Sequence, residues 1–146
     1  MLRPAPELSL RLADSPTSTF AARRALRRVL ADAAFTPFGE SALLALTEVI
    51  NNALAYNDDG CWVIVWYSPS HGLRAEVEDS GTVLPALPPV PPPSQVRGRG
   101  LNIVDTVADR WGSHHSRRGK TVWFELDAVT SDHDHEPGGD PPSTDP

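Results

Sequence analysis

Glu48 and Asn52 stand four residues apart in the segment Glu48-Val-Ile-Asn-Asn-Ala53, inside an otherwise apolar run. In a helix this spacing sets both side chains on one face, one turn above the other. Leu43, Leu46, Ile50 and Leu54 keep the helical period and point to a core, with Glu48 roughly opposite Leu46 and Ile50. An amide oxygen so placed can hold a hard cation such as Mg2+, which prefers oxygen ligands and keeps part of its water shell. A carboxylate beside it can orient or deprotonate a nucleophile. Taken alone, the pair is also compatible with an ordinary solvated helix face, so the remainder of the chain must decide.

Three other segments offer chemistry. Val77-Glu-Asp-Ser-Gly81 ends a β-like run in an acid followed by glycine. A carboxylate at a strand end can accept a hydrogen bond from an exocyclic amine such as that of adenine, and a glycine lets the backbone approach a flat base. Gly98-Arg-Gly100 precedes a helical pattern. Free N–H groups and the positive dipole end make a helix N-terminus an anion site. Each of these two is a common turn when it occurs by itself. Gly119-Lys-Thr121 brings a P-loop to mind, but that motif requires a glycine where His114 stands, and a helix where the sequence reads as strand.

The elements that must carry these residues follow from periodicity. Leu8 to Leu12 alternates and reads as a short strand. N-cap candidates at Ser15 to Ser18 open a helix over about 18–34, with Phe20, Leu26, Val29, Leu30 and Ala33 facing inward and Arg23, Arg24, Arg27 and Arg28 on the other side. Thr36-Pro37 breaks the chain before a second helix over about 38–56. Strands are expected at 61–68 and 73–79, joined as a hairpin, and again at 111–117 and 120–127. Residues 82–97 hold six prolines and no periodicity, which fits a lid or a disordered loop. The order of elements implies a two-layer α/β sandwich.

Size and charge narrow the function classes. A chain of 146 residues can build one domain with a real core. No apolar run approaches the roughly 20 residues needed to span a bilayer, and the N-terminus lacks signal-peptide character, so a cytoplasmic protein that does not enter membranes is expected. The single cysteine, Cys61, reads as a small buried hydrophobe at a strand start. Residues 128–146 hold five acids and no Lys or Arg; subtracting them from the net charge of −6 leaves the body near −1. No basic stripe interleaved with aromatics appears, so direct nucleic-acid binding is not expected.

In order and spacing, the set resembles the GHKL ATPase superfamily, which includes histidine-kinase ATPase domains, gyrase-type ATPases and Hsp90-like proteins. Within it, the chain is most similar to stand-alone anti-sigma-factor serine/threonine kinases of actinobacterial type. The likeness is carried by Thr47-Glu-Val-Ile-Asn-Asn-Ala53, Glu76-Val-Glu-Asp-Ser-Gly81, Gly98-Arg-Gly-Leu-Asn-Ile-Val104 through Ala108-Asp-Arg-Trp-Gly112, and Gly119-Lys-Thr-Val-Trp-Phe-Glu-Leu126, and it covers about residues 8–127. It implies a Bergerat-type ATP-binding fold: a mixed, mostly antiparallel sheet with helices on one face.

The resemblance also implies roles. Asn52 matches the residue that binds Mg2+, and Glu48 the acid that activates the attacking hydroxyl. Asp79 matches the adenine-reading acid and Gly81 the glycine beside the base. Gly98 and Gly100 match lid glycines next to the phosphates. Thr121 matches a position that supports Asp79 and adenine from the pocket floor. Two departures, Tyr56 in place of a frequent basic residue or His and a lid rich in proline, bear on lid closure and rate more than on nucleotide binding. Too few residues precede the Glu48 helix for a phosphoacceptor hairpin, so a complete sensor histidine kinase is not expected.

Two functions are compatible with this reading. One is a serine/threonine kinase that phosphorylates a STAS-type anti-sigma-factor antagonist and also engages a sigma factor, with a homodimer as an option. The other is a module that binds ATP and regulates a partner without transferring phosphate. Either way the domain is expected over 1–127, and the acidic tail at 128–146 should be dispensable for folding. With no aromatic residue and only Val129 as a sizeable aliphatic, the tail cannot offset ordering entropy of about 1–2 kcal/mol per residue. A chain ending at Asp127 should melt within a few degrees of the full protein and bind ATP equally well; a large drop in Tm would show that the tail packs on the domain.

Overall fold

The computed structural model describes residues 4–55, 59–85 and 100–129. Strand β1 (Leu8–Leu12) leads into helix α1 (Ser18–Leu30), a 3-10 turn (Ala31–Phe35) and helix α2 (Pro37–Ala55). Strands β2 (Cys61–Ser68) and β3 (Gly72–Asp79) follow, then α3 (Gly100–Val107), β4 (Arg110–Ser116) and β5 (Gly119–Leu126). The sheet runs β1-β2-β3-β5-β4, and each of its four pairings is antiparallel. The expected two-layer sandwich is therefore present, with antiparallel pairing throughout the described strands.

Alternation builds the core. Val63 and Val65 of β2, Leu73, Ala75 and Val77 of β3, and Val122, Phe124 and Leu126 of β5 point to the helical side and are buried. They meet Ala22, Leu26 and Leu30 of α1, Leu43, Leu46, Val49 and Ile50 of α2, and Val104 of α3 in one cluster. The opposite face carries no helix among the described residues. It is closed by a cation–arene layer: Arg118 and Arg11 lie 4.3 and 5.3 Å from the Trp62 ring centroid, and Arg74 lies 4.5 Å from that of Trp123. Arg74 is also paired with Glu76 and Glu125. Arginine stems cover the rings while the charged heads stay wet, which lets a sheet face meet water.

Helix α1 corrects two expectations. It ends at Leu30 rather than near 34, because Ala31 turns to φ +51°, outside the helical region, and a 3-10 turn follows. Phe20 does not face inward and is 66% exposed. The buried positions of α1 are Ser18, Ala22, Leu26 and Leu30. Phe20 lies two residues from Ser18 and Ala22, about 200° around the helix, and so on the far side.

Helix α2 starts where its sequence tells it to. Thr36 is the cap: its Oγ1 accepts the Gly39 N–H at 3.2 Å, and its carbonyl accepts that of Glu40 at 3.0 Å. Pro37, which has no N–H to lose, takes the first helical position. A Cβ at Gly39 would lie 2.1 Å from the Ala33 carbonyl oxygen, so only glycine lets α2 start this close to the preceding turn. The 19-residue helix then runs across β3 and packs against α1 and α3.

Candidate nucleotide site

The two neighbouring asparagines of α2 have different surroundings. Asn51 Oδ1 accepts a hydrogen bond from Thr19 Oγ1 of α1 at 2.8 Å. One turn earlier, Thr47 Oγ1 accepts from Arg23 Nη1 at 2.8 Å while donating to the Leu43 carbonyl at 2.7 Å. Thr47 and Asn51 are thus used to dock α1. Glu48 and Asn52, one residue further round, are half-buried and make no side-chain hydrogen bond among the described residues. Burial raises the Glu48 carboxyl above its ordinary value of 4.5, the direction that makes a carboxylate a better base.

Asp79 closes β3 on the same side of the sheet as the core, and it is fully buried. Its Oδ1 accepts the Gly81 N–H at 2.7 Å and the Lys120 ammonium at 3.0 Å. Its Oδ2 has no hydrogen-bond partner among the described residues. Cys61 lies within reach of this charge, and its thiol is pushed up to about 12, mainly by burial and secondarily by Asp79. The thiol is therefore protonated and inert at neutral pH, as expected of a packed hydrophobe.

Lys120 was not anticipated as a site residue, and Thr121 was. The pairing register sets Asp79 opposite Lys120 and Glu78 opposite Thr121. Since side chains alternate along a strand, Lys120 shares the face of Asp79, and Thr121 points to the other one. There Thr121 lines a shallow cavity of about 290 Å³ with Trp62, Ile64, Glu76, Glu78 and Arg118. The assignment of Thr121 as support for Asp79 is therefore corrected: Lys120 occupies that place. The signal was present in the sequence, because Val122, Phe124 and Leu126 face the core and Lys120 keeps their parity.

Gly119, at the start of β5, fits closely against the turn after β3. A Cβ on Gly119 would lie 2.4 Å from the Asp79 carbonyl oxygen, 2.6 Å from Ser80 C and 2.7 Å from the Gly81 oxygen. The glycine lets β5 start directly against the turn that carries Asp79 and Gly81. Gly119→Ala should push that turn away at a cost of about 1–3 kcal/mol, as overpacking typically does. Both Tm and ATP affinity should then fall, which melting and calorimetry would read. Unchanged affinity would remove the 79–81 turn from the site.

Gly100 opens α3, as anticipated, while Gly98, Tyr56 and residues 86–97 of the expected lid lie outside the described residues. Helix α3 is fixed by Leu101 and Val104, both buried, and by Trp111 of β4, whose Nε1 donates to Asp105 Oδ1 at 2.9 Å. In its first turn the Asn102 amide nitrogen is buried without a hydrogen-bond partner among the described residues. Two buried polar side-chain atoms thus lack a partner among the described residues, an acceptor at Asp79 on β3 and a donor at Asn102 on α3. Native structures keep few such atoms unless something fills them. An adenine amine suits the first and an anionic or carbonyl oxygen the second, so the residues present fit a nucleotide. Among the described residues no group of three or more His, Cys, Asp or Glu side chains could hold a metal.

Comparison with known proteins bears on this arrangement directly. Residues 12–126 match the family model of the histidine kinase-like ATPase domain. The chain belongs to that family. Histidine kinase-like ATPase domains bind ATP. The fold is similar to the crystal structure of the RsbU and RsbW domains of Rv1364c from Mycobacterium tuberculosis, with a TM-score of 0.63 and 22% identity. That match covers 85% of this chain and 33% of the other, so this histidine kinase-like ATPase domain spans about a third of its neighbour's length. No curated protein matches the sequence. No helix among the described residues is long and apolar enough to cross a membrane.

Proposed function

We propose that the protein is an ATP-dependent serine/threonine kinase of the anti-sigma-factor type, acting in the cytoplasm on a STAS-type antagonist and also binding a sigma factor, alone or as a homodimer. The observation that carries this reading is Glu48: a half-buried carboxylate with a raised pKa and no side-chain hydrogen bond among the described residues, one turn from Asn52, on a helix whose neighbouring Thr47 and Asn51 are used instead to dock α1. Nucleotide binding alone has no need of such a group. The likeness to a structure containing an RsbW domain supports the same class.

In this reading each residue does one thing. Asp79 Oδ2 accepts the exocyclic amine of adenine, and Gly81 leaves room for the base. Asn52 offers its amide oxygen to Mg2+, whose contribution when bound is to neutralise phosphate charge. Gly98 and Gly100 let backbone N–H groups approach the phosphates. Glu48 orients the serine or threonine hydroxyl of the partner and takes its proton as that oxygen attacks the γ-phosphorus. The bond from that phosphorus to the β–γ bridging oxygen breaks, and ADP leaves with the electron pair.

The test is transfer of label from γ-labelled ATP to a purified STAS-type antagonist. Label on a serine or threonine, dependent on Mg2+, supports the kinase. Tight ATP binding with no transfer to any antagonist would favour a module that regulates by partner binding alone.

A further inference from the structure

Lys120 is the only lysine of a chain that carries twelve arginines, and it is 5% exposed. An ammonium is costly to bury and has three donors to satisfy. Among the described residues it makes one hydrogen bond, to Asp79 Oδ1. That oxygen also accepts from Gly81, whereas Oδ2 of the same carboxylate accepts from none of the described residues. The buried pair is therefore unbalanced: it lacks a donor at Oδ2 and has donors to spare at Lys120. A pair kept only for stability has no use for this imbalance, since well-packed apolar residues often serve as well. What completes it is a group that presents one N–H beside one acceptor.

The Watson–Crick edge of adenine is such a group, with the amine on C6 next to the ring nitrogen N1. Resting on the nucleotide reading above, we propose that Lys120 is a specificity-determining residue that reads the base together with Asp79. Oδ2 accepts from the C6 amine, and the Lys120 ammonium donates to N1. The two side chains sit opposite each other on neighbouring strands, so β3 and β5 each supply half of the recognition. Guanine in the same orientation would set its C6 oxygen against Oδ2 and its N1–H against the ammonium. Both contacts would be mismatched, so the pair rejects GTP at two positions where Asp79 alone rejects it at one. A compact ammonium suits this place; the planar fork of arginine, used everywhere else in the chain, would need more room and more acceptors.

The experiment uses the full chain, Mg2+ and two nucleotides, ATP and 1-deaza-ATP, the second having C–H in place of N1. Wild type should bind 1-deaza-ATP about tenfold more weakly, the size expected for one hydrogen bond from a charged donor. In the double variant Asp79→Asn/Lys120→Met, which removes the buried charges together, the two nucleotides should bind alike. Because the chain has a single lysine, lysine labelled with 13C at Cε gives a single side-chain signal, and ATP should shift it more than 1-deaza-ATP does. If the double variant fails to fold, the two wild-type measurements still decide. Equal affinities in wild type, or a lysine signal unmoved at saturating ATP, would overturn the proposal and leave nucleotide binding intact. An absence of ATP binding in wild type would overturn both.

Discussion

Asp79→Asn is expected to do two separable things: weaken ATP binding and lower the melting temperature. The first follows from the orphaned Oδ2, which the amide no longer offers as a charged acceptor. Loss of one such hydrogen bond at a buried site costs about 1–3 kcal/mol, or roughly 5- to 150-fold in affinity. GTP should be weakened less, since it lacks the amine that Asp79 reads. The second effect follows from Lys120, left as a buried charge without its counter-ion. Breaking a buried pair by removing one partner typically costs about 3–5 kcal/mol, a Tm drop on the order of 10–20 °C for a domain of this size. Adding Lys120→Met should return most of the stability but none of the ATP affinity. If stability and affinity instead recover together, Asp79 acts only as a structural ion-pair partner, and its role as reader of adenine fails.

Glu48→Gln should have the opposite profile, keeping the fold and ATP affinity while losing phosphotransfer. General-base assistance is typically worth about 10²–10⁴-fold in rate, and the amide cannot take a proton. The pH dependence gives an independent check. Burial raises the Glu48 pKa above 4.5, and the working form is the carboxylate. Phosphotransfer by wild type should therefore rise with pH through a limb lying above the usual carboxylate value, and the residual rate of Glu48→Gln should lack that limb. For stability the sign is reversed. A raised folded-state pKa contributes stability below the unfolded carboxyl pKa, and this is lost as pH rises through the folded value. Replacing Glu48 by glutamine at neutral pH should thus leave Tm unchanged or slightly higher. A marked fall in Tm would mean that the carboxylate has a structural partner, and the catalytic assignment would not survive.

The parts of this molecule that were legible in its sequence are those fixed by local pattern. β1 and β2 have the limits that alternation suggests, and α2 begins at Thr36-Pro37 because a cap and a proline specify it within a few residues. The placement of Glu48 and Asn52 on one face of α2 was legible for the same reason, since a four-residue spacing is a statement about one helix face. Phe20 was misplaced because an aromatic residue was assigned inward by type, whereas the face of α1 is set by Ser18, Ala22, Leu26 and Leu30. Thr121 and Lys120 needed more than local pattern. Which of them meets Asp79 depends on the register of two strands forty residues apart, with α3 and β4 between them in the chain. Likewise, nothing local separates Asn51 from Asn52; Thr19, on another helix, does so by hydrogen-bonding the first.

Calorimetric titration of the full chain with ATP in the presence of Mg2+ tests the central claim most directly. The expected result is saturable binding at one site per chain, with GTP binding many-fold more weakly and with the ATP affinity reduced when Mg2+ is chelated. No heat or saturation with ATP at millimolar concentration, or equal affinities for ATP and GTP, would contradict an adenine site built on Asp79.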